Sequence, residues 1–360
     1  MSKRKLRILL TAPALGPLGS GENGGVERRV SFIKGILKSR GHVVSILALK
    51  GSKVLHSEII EIEGNPPVDV TRKNGILIKK RHGPSAVDNI WNTAGQLQKN
   101  YDVIIGLNYD APAYKKSTLF STPVGHMITV GSLQRTTDRA LAEFAKRHVH
   151  CVSFLTLTQA KSFTEIIRPY ILRPGAVVNR SEFIFHKKPQ DRLVWSARIT
   201  PVKGLRAAFA VADRLQLPLD IFGKMQDVEY FKKCIADFSD VQYTYHGFVS
   251  SKKLSRIIGR ARVMIAPYHW VEGFGLSIIE SLACGTPVVA LRMGGPAEII
   301  TPTSGVLCRP EARVEELCRA VQKAWHLNRQ KVLERAKDFS SEKFGDALEK
   351  WIFTVERSWK

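Results

Sequence analysis

The segment Glu272-Gly-Phe-Gly-Leu-Ser-Ile-Ile-Glu280-Ser-Leu-Ala-Cys-Gly-Thr-Pro-Val-Val289 predicts a loop, a helix and a buried strand in immediate succession. Its first glycines allow backbone amides to approach a ligand closely, and Leu276 begins a helix whose amino end carries free N–H groups and partial positive charge. Glu272 and Glu280 bracket that end, and carboxylates accept hydrogen bonds from sugar hydroxyls. The pattern favours an anionic, hydroxyl-rich ligand. A surface helix with two unrelated glutamates is the alternative.

Short apolar, β-branched runs alternate with helix-like stretches on both sides of this segment, which is typical of parallel sheets covered by helices on both faces. The strands predicted in the second half are Leu193–Ile199, Leu219–Phe222, Tyr243–His246, Val263–Pro267 and Pro287–Leu291. The strands predicted in the first half are Leu6–Ala12, Val43–Leu49, Val103–Leu107, His126–Val130 and Val152–Thr158. A chain of 360 residues corresponds to about two domains. We therefore expect an α/β fold with two Rossmann-like domains facing a cleft.

Local signals refine this division. A helix that ends at Gly41 is predicted from apolar residues recurring at i, i+4, i+7 and i+11: Val26, Val30, Ile33 and Leu37. Asn74-Gly75, within the alternating stretch 61–81, predicts a two-residue hairpin turn. The polar, turn-rich stretch 174–191 predicts the hinge. The expected domains are residues 1–180 and 190–340.

The amino terminus and the cysteines bear on the cellular setting. Three basic residues precede a short apolar run, as in a signal peptide, but Arg7 interrupts that run, so a first strand is the better interpretation. Stretches without charge, such as Leu282–Leu291, fall short of the roughly 20 residues that a spanning helix needs. Five cysteines without paired spacing favour a reducing cytoplasm.

The formal net charge of +23 predicts anionic partners, because such a field concentrates negative ligands. The basic residues are scattered, so much of the charge is also consistent with an ordinary solvated surface. Peripheral contact with the anionic inner leaflet of a membrane is compatible with this charge. We expect no nucleic-acid partner.

A second segment, Ser196-Ala-Arg-Ile-Thr-Pro-Val-Lys-Gly204, follows a predicted strand and enters a helix. Arg198 and Lys203, five residues apart at this turn, can both face a diphosphate, the arginine as a planar fork and the lysine as a point charge. Ordinary surface charges are the alternative.

With these two segments the chain resembles the retaining glycosyltransferases of GT-B fold, in the group with two glutamates separated by seven residues. The resemblance extends over nearly the whole chain and is most specific in the second half. It implies that Glu280 binds the ribose of the nucleotide and Glu272 the transferred hexose. It also implies that Arg198 and Lys203 neutralise the diphosphate, although Ala197 replaces the usual glycine. The sugar would be held by amides around three consecutive residues: Phe274, Gly275 and Leu276.

The resemblance assigns further residues with weaker local matches. Gly24 and Gly25 would lie across the cleft from the diphosphate, or else belong to a flexible connection. His126, at a predicted strand end, would reach the hexose, or else be a core histidine. Phe248 would lie near the nucleobase. The helix 343–360 would cross back onto the amino-terminal, acceptor-side domain, leaving residues 190–340 as the donor domain.

The resulting expectation is a metal-independent, retaining hexosyltransferase without a cofactor, whose donor substrate is a nucleoside-diphosphate sugar. Its acceptor would be a sugar, a lipid-linked compound or a small molecule, and its setting the cytoplasm, with possible peripheral attachment to the inner leaflet. A glycogen-synthase-like enzyme on the same scaffold is one alternative. A basic membrane-surface or nucleic-acid-binding module on an inactive scaffold is another, against which the intact Glu272, Glu280, Arg198 and Lys203 argue. The nucleobase, hexose, acceptor, linkage and oligomeric state are not encoded in the spacing of these motifs.

Overall fold

The computed structural model describes residues 4–20, 25–54, 58–66, 69–73, 76–80, 85–178 and 182–359, with the backbone alone for 69–73 and 76–80. The chain divides into two compact units, the first formed by residues 1–175 and 344–360 and the second by residues 176–343. Each unit contains a parallel sheet with helices, which confirms the prediction of two parallel-sheet α/β domains. No helix within the described ranges is long and apolar enough to cross a membrane.

The first unit is built on a seven-stranded parallel sheet with the order β3-β2-β1-β6-β7-β8-β9. Its strands are β1 (Arg7–Thr11), β2 (Val43–Leu49), β3 (Ile59–Ile62), β6 (Val103–Gly106), β7 (Val124–Ile128), β8 (Val152–Phe154) and β9 (Tyr170–Ile171). A separate antiparallel pair consists of β4 (Asp69–Lys73) and β5 (Ile76–Lys80). The helices are α1 (Gly25–Ser39), α2 (Ala86–Leu97), α3 (Ala111–Ser117), α4 (Arg135–Arg147), α5 (Leu157–Ala160) and α13 (Ser341–Ser358).

The last helix, α13, belongs largely to the first unit although it ends the chain. Its Glu349 accepts hydrogen bonds within a buried network, 3.1 Å from His42 Nε2 and 3.1 Å from an Arg40 guanidinium nitrogen. Trp351 Nε1 donates to the carbonyl of His150 at 2.9 Å. These contacts hold α13 to the loop before β2 and the loop before β8.

The second unit is built on a six-stranded parallel sheet with the order β12-β11-β10-β13-β14-β15. Its strands are β10 (Gln190–Ser196), β11 (Leu219–Phe222), β12 (Tyr243–Tyr245), β13 (Ala261–Ala266), β14 (Val288–Leu291) and β15 (Gly305–Cys308). Its helices are α6 (Leu205–Leu215), α7 (Val228–Asp237), α8 (Ser251–Arg260), α9 (Leu276–Ala283), α10 (Pro296–Ile299), α11 (Val314–Trp325) and α12 (Arg329–Ala336). The central strands are buried because helices cover them, so they read as continuous apolar runs.

Most predicted elements occur within two residues of their expected bounds, and the differences have local causes. The strand expected at His126–Val130 runs from Val124 to Ile128, and its Gly125 leaves room for Trp351, because a Cβ there would lie 3.0 Å from the indole ring. The strand expected to reach Thr158 stops at Phe154, since Thr156 caps a short helix. The hairpin strands flank Asn74-Gly75 as predicted, while these two residues lie outside the described ranges.

Candidate active site

The predicted site residues of the second unit gather at the carboxyl edge of its sheet. Arg198 lies two residues after β10, Glu272 follows β13, and the pair Gly294-Gly295 follows β14. Since all six strands are parallel, the loops that follow them emerge at the same edge. Open α/β sheets bind their ligands beyond the carboxyl ends of the strands. We therefore treat this edge as the candidate active site.

Lys203 ends a short 3-10 turn, residues 201–203, that connects β10 to α6. Its backbone carbonyl accepts a hydrogen bond from Trp195 Nε1 at 3.1 Å. The next residue, Gly204, has φ +66° and packs so closely that a Cβ would lie 2.1 Å from the carbonyl oxygen of Pro267. These contacts press the turn against the loop that follows β13, which we call the glutamate loop (residues 267–275).

Lys203 and Glu272 form an ion pair although 69 residues separate them. Nζ lies 2.5 Å from Oε2, and the side chains are only 9% and 16% exposed. Trp270 Nε1 donates to the same oxygen at 2.8 Å. The ammonium also lies over two aromatic rings, 4.7 Å from the ring centroid of Tyr268 and 4.2 Å from that of Trp270. This places one cation and one anion in an aromatic, largely water-excluded setting.

The local charges determine the protonation state of Glu272. Burial acts to raise the pKa of this carboxyl, but the charge of Lys203, the hydrogen bonds from Lys203 and Trp270, and the charge of Arg198 outweigh it and lower the pKa below the ordinary value. Burial raises the pKa of the neighbouring Tyr268 phenol, and the negative charges of Glu272 and Glu280 raise it further. Glu272 is therefore an anion and Tyr268 a neutral phenol at physiological pH.

The backbone of the glutamate loop is fixed by the loop after β14. The amide of Glu272 donates to the carbonyl of Met293 at 3.2 Å, and the amide of Gly295 donates to the carbonyl of Glu272 at 2.7 Å. A Cβ on Gly294 would lie 2.2 Å from the carbonyl oxygen of Glu272, and one on Gly295 would lie 1.9 Å from that of Phe274. Only glycines permit this approach, so the double glycine sets the position of the carboxylate.

Helix α9 begins directly after the glutamate loop. Its N-cap is Gly275, at φ +108°, which provides no side chain to cap the first amides. The second residue of the helix, Ser277, bonds through its hydroxyl to the Tyr268 hydroxyl at 3.1 Å. Glu280 lies on the same helix and is 5% exposed. The helix thus presents uncapped N–H groups beside the loop that carries Glu272, an arrangement that suits an anionic ligand.

The remaining predicted residues of this unit differ in how their side chains are placed. The Arg198 guanidinium donates to Gln226 Oε1 at 3.1 Å, and its charge acts on Glu272. Phe248, three residues after β12, is 74% exposed. The ring of Phe274 is buried and packs edge-on against Phe339, so only its backbone is available to a ligand. Within the described ranges, no group of three or more His, Cys, Asp or Glu side chains could hold a metal ion.

His126 lies in the core of the first unit. It occupies the middle of β7, not a strand end, with 0% exposure. Its Nε2 lies 2.9 Å from Ser117 Oγ, and the rings of Tyr114 and Phe144 pack edge-on within 5 Å. Burial, with the charge of His148, lowers the pKa of His126 to about 3. The structure thus favours a neutral core histidine over a hexose ligand.

The glycine-rich loop of the first unit is described only in part. Gly25 is the first residue of α1 and is exposed, whereas Gly24 lies outside the described ranges. The loop is closed by the amide of Gly19, which donates to Glu27 Oε2 at 3.0 Å.

Three features of the site were not predicted from the sequence. Trp270 and Tyr268 surround the Lys203 ammonium, and the double glycine after β14 supports the glutamate loop. The glycines could have been found, because two glycines at the carboxyl end of a predicted strand indicate close backbone approach. The aromatic contacts could not, since they depend on side chains meeting across distant segments.

Residues 179–343 match the family model of the glycosyl transferases group 1. The matched segment lies within the second unit, which carries Arg198, Lys203, Glu272 and Glu280. Solved structures resemble this chain over nearly its full length. Sucrose-phosphate synthase from Thermosynechococcus elongatus has a TM-score of 0.79 at 17% identity and covers 98% of this chain and 99% of its own. HepE from Anabaena, in complex with UDP and glucose, has a TM-score of 0.75 at 15% identity and covers 97% and 100%. The chain has the GT-B glycosyltransferase fold, as the sequence predicted.

Curated relatives of this GT-B chain match over shorter segments. A GDP-mannose-dependent alpha-(1-6)-phosphatidylinositol dimannoside mannosyltransferase from Mycobacterium tuberculosis is 36% identical over 99 residues, 27% of this chain and 26% of that protein. A probable sucrose-phosphate synthase from Thermosipho melanesiensis is 27% identical over 146 residues, 36% and 34% respectively. The alignments thus span about a quarter to a third of these relatives.

Proposed function

We propose that this chain transfers a hexose from a nucleoside-diphosphate sugar to an acceptor hydroxyl with retention of anomeric configuration. The observation that carries the proposal is the gathering of Arg198, Lys203, Glu272 and the uncapped end of α9 at one edge of the second unit. In this proposal the second unit is the donor domain and the first is the acceptor-side domain.

The chemistry required of the site is mainly the stabilisation of a leaving group. The bond between the anomeric carbon and the β-phosphate oxygen breaks while the acceptor oxygen bonds to the same face of the sugar. The acceptor proton passes to the departing phosphate oxygen, which lies on that face. Arg198 and Lys203 compensate the growing negative charge together with the amides of α9. These groups supply the charge that a metal ion supplies in other transferases, so added chelator should leave the rate unchanged.

The remaining residues act in recognition. Glu280 accepts hydrogen bonds from the ribose hydroxyls, and Glu272 accepts them from the hexose hydroxyls. Backbone amides of Gly275 and Leu276 hold the sugar where the helix begins. The exposed ring of Phe248 offers a stacking surface to the nucleobase.

The relatives provide candidates for the donor and the acceptor. GDP-mannose is named for the mycobacterial relative, and UDP-glucose is bound in one HepE structure. The acceptor in this proposal is a lipid-linked compound, a sugar or a small molecule. The proposed setting is the cytoplasm, with peripheral contact to an anionic leaflet through the basic surface.

A donor screen tests the proposal. UDP-, GDP- and ADP-linked hexoses are incubated with the chain, with and without EDTA, and release of the nucleoside diphosphate is measured. We expect turnover of one donor, insensitivity to EDTA, and a product or free sugar whose first-formed anomer matches the donor by NMR. Inversion would contradict the retaining mechanism, and turnover of none of the donors would contradict the enzyme assignment.

Variants separate the roles of the residues. Arg198→Ala should lower turnover by about two orders of magnitude, whereas Glu280→Ala should mainly weaken binding of the free nucleoside diphosphate in calorimetry. Lys232→Ala is the matched control, because this lysine is 67% exposed and pairs only with a surface glutamate in the described part of the chain. Equal turnover in Arg198→Ala and the control would refute the assignment.

A further inference from the structure

We propose that Glu272 is the internal counter-ion of Lys203 while the donor site is empty, and that a bound diphosphate displaces it. The freed carboxylate then accepts the hexose hydroxyls, with Trp270 as the positioning residue that holds it in the loop. The inference rests on the proposed function and adds a link between recognition of the phosphates and recognition of the sugar.

The first step concerns the space around the ammonium. The Glu272 carboxylate lies 2.5 Å from it, and the rings of Tyr268 and Trp270 lie over it at 4.7 and 4.2 Å. A diphosphate is also an anion and seeks the same hydrogen-bond donors. Two anions at one ammonium repel each other in a site that is less than one-fifth exposed. Binding of the diphosphate to Lys203 therefore requires the carboxylate to turn away.

The second step concerns what the carboxylate can do after it turns away. The Glu272 backbone is fixed by hydrogen bonds on both sides, to Met293 and from Gly295, so only its side chain can move. The Trp270 indole N–H already donates to the carboxylate. This bond does not involve Lys203, so the indole can hold either carboxylate oxygen when the carboxylate turns away from the lysine. Trp270 thus keeps the anion at the start of the loop, facing the position that the proposed function gives the hexose.

The third step is energetic. A complete donor loses the Lys203–Glu272 pair but gains hydrogen bonds between the hexose and the released carboxylate. The free nucleoside diphosphate loses the same pair without that compensation. The pair therefore favours the donor over the product nucleotide, and its return after transfer promotes product release. A purely structural ion pair, which stays closed when nucleotide binds, would show none of this discrimination.

Calorimetry on the full chain tests the discrimination. UDP, GDP and ADP are titrated into the wild type, and the one that binds is compared with its hexose conjugate. In Glu272→Gln, which keeps the side-chain shape and removes the charge, the free nucleoside diphosphate should bind about tenfold more tightly, while the sugar nucleotide should not. The matched control is Glu229→Gln, because Glu229 is 83% exposed and forms only a surface pair with Lys232 in the described residues.

A second variant tests the indole hydrogen bond. Trp270→Phe keeps an aromatic ring near the ammonium but removes the N–H donor. We expect the apparent KM for the sugar nucleotide to rise several-fold, with affinity for the free nucleoside diphosphate within about twofold of wild type. Trp325→Phe, a partly exposed tryptophan on α11, is the control for loss of an indole.

A spectroscopic signature measured on the wild type completes the test. The ¹⁵N-indole signal of Trp270, assigned by its absence in Trp270→Phe, should shift when the nucleoside diphosphate alone is added. Unchanged or weaker binding in Glu272→Gln, or an indole signal that does not move at saturation, would overturn the inference and leave the proposed function standing. A wild type that binds none of the three nucleotides would refute both.

Discussion

Replacement of Lys203 by methionine separates the charge of this residue from its packing. Methionine keeps an unbranched side chain of similar length, and the Trp195 hydrogen bond goes to the backbone carbonyl, so it survives the change. The variant loses the ammonium that lies 2.5 Å from Glu272 and over the rings of Tyr268 and Trp270. The local fold should therefore persist while the site loses one of its positive charges.

The expected magnitude follows from the exposure of the ammonium. Two unit charges about 4 Å apart interact by about 4 kcal/mol at an effective dielectric constant of 20, a value suited to a partly buried pair. Loss of one donor to a developing negative charge typically raises the barrier by about 2.7–4 kcal/mol. Turnover of Lys203→Met should accordingly fall by a factor of about 10² to 10³. The pKa of Glu272 should rise as well, because the largest of the influences that lower it is gone.

The assay is the rate of nucleoside diphosphate release at saturating donor, with the thermal unfolding of each variant recorded in parallel. Lys232→Met serves as the control, since it removes a lysine that is 67% exposed on α7 of the same unit. A turnover within threefold of the wild type, in a variant with an unchanged unfolding transition, would refute the role of this cation.

Three further predictions concern the supports of the two units. Gly294→Ala should weaken nucleotide binding at least tenfold by calorimetry, because a Cβ there would collide with the backbone of the glutamate loop; Gly51→Ala, also at positive φ but with nothing within 4 Å, should not. Glu349→Ala should lower the free energy of unfolding of the first unit by about 1–3 kcal/mol in urea, because it removes the buried carboxylate that accepts from His42 Nε2, while Arg40 keeps its pair with Asp346. Glu356→Ala removes a pair with the largely exposed Arg4 and should cost under about 1 kcal/mol. The depressed pKa of His126, about 3 against an unfolded value of 6.5, means that the unfolded state takes up the proton first, so the first unit should lose about 2 kcal/mol between pH 6.5 and 5. Urea titrations should find that this loss is smaller in His126→Gln, and an identical pH dependence in both proteins would contradict the buried neutral imidazole.

The sequence predicted those parts of the fold and site that depend on local patterns. Apolar runs separated by helix-like stretches predicted both sheets. The glycines before Leu276 predicted the loop and the start of α9. The short edge strands β3, β9 and β15 were missed, because strands of two to four residues are too short to show a periodicity.

Contacts between distant segments were beyond the reach of such patterns. Lys203 and Glu272 were both predicted as ligands of a donor, but their pairing with each other depends on the packing of two loops that follow different strands. His126 was expected at a strand end because the strand was predicted to begin at His126, whereas it begins two residues earlier, at Val124. Its position in the core depends on Trp91, Tyr114 and Phe144, which come from three separate helices.

The central claim is that the diphosphate of a sugar nucleotide binds at the carboxyl edge of the second unit, between the two cations and the start of α9. The most direct test is a crystal structure of the chain with the nucleoside diphosphate identified by the donor screen. We predict phosphate oxygens within hydrogen-bond distance of Lys203 Nζ, the Arg198 guanidinium and an amide in the first turn of α9, with the Glu272 carboxylate turned away from the lysine. Diphosphate density elsewhere on the molecule, with the Lys203–Glu272 pair intact, would contradict the claim.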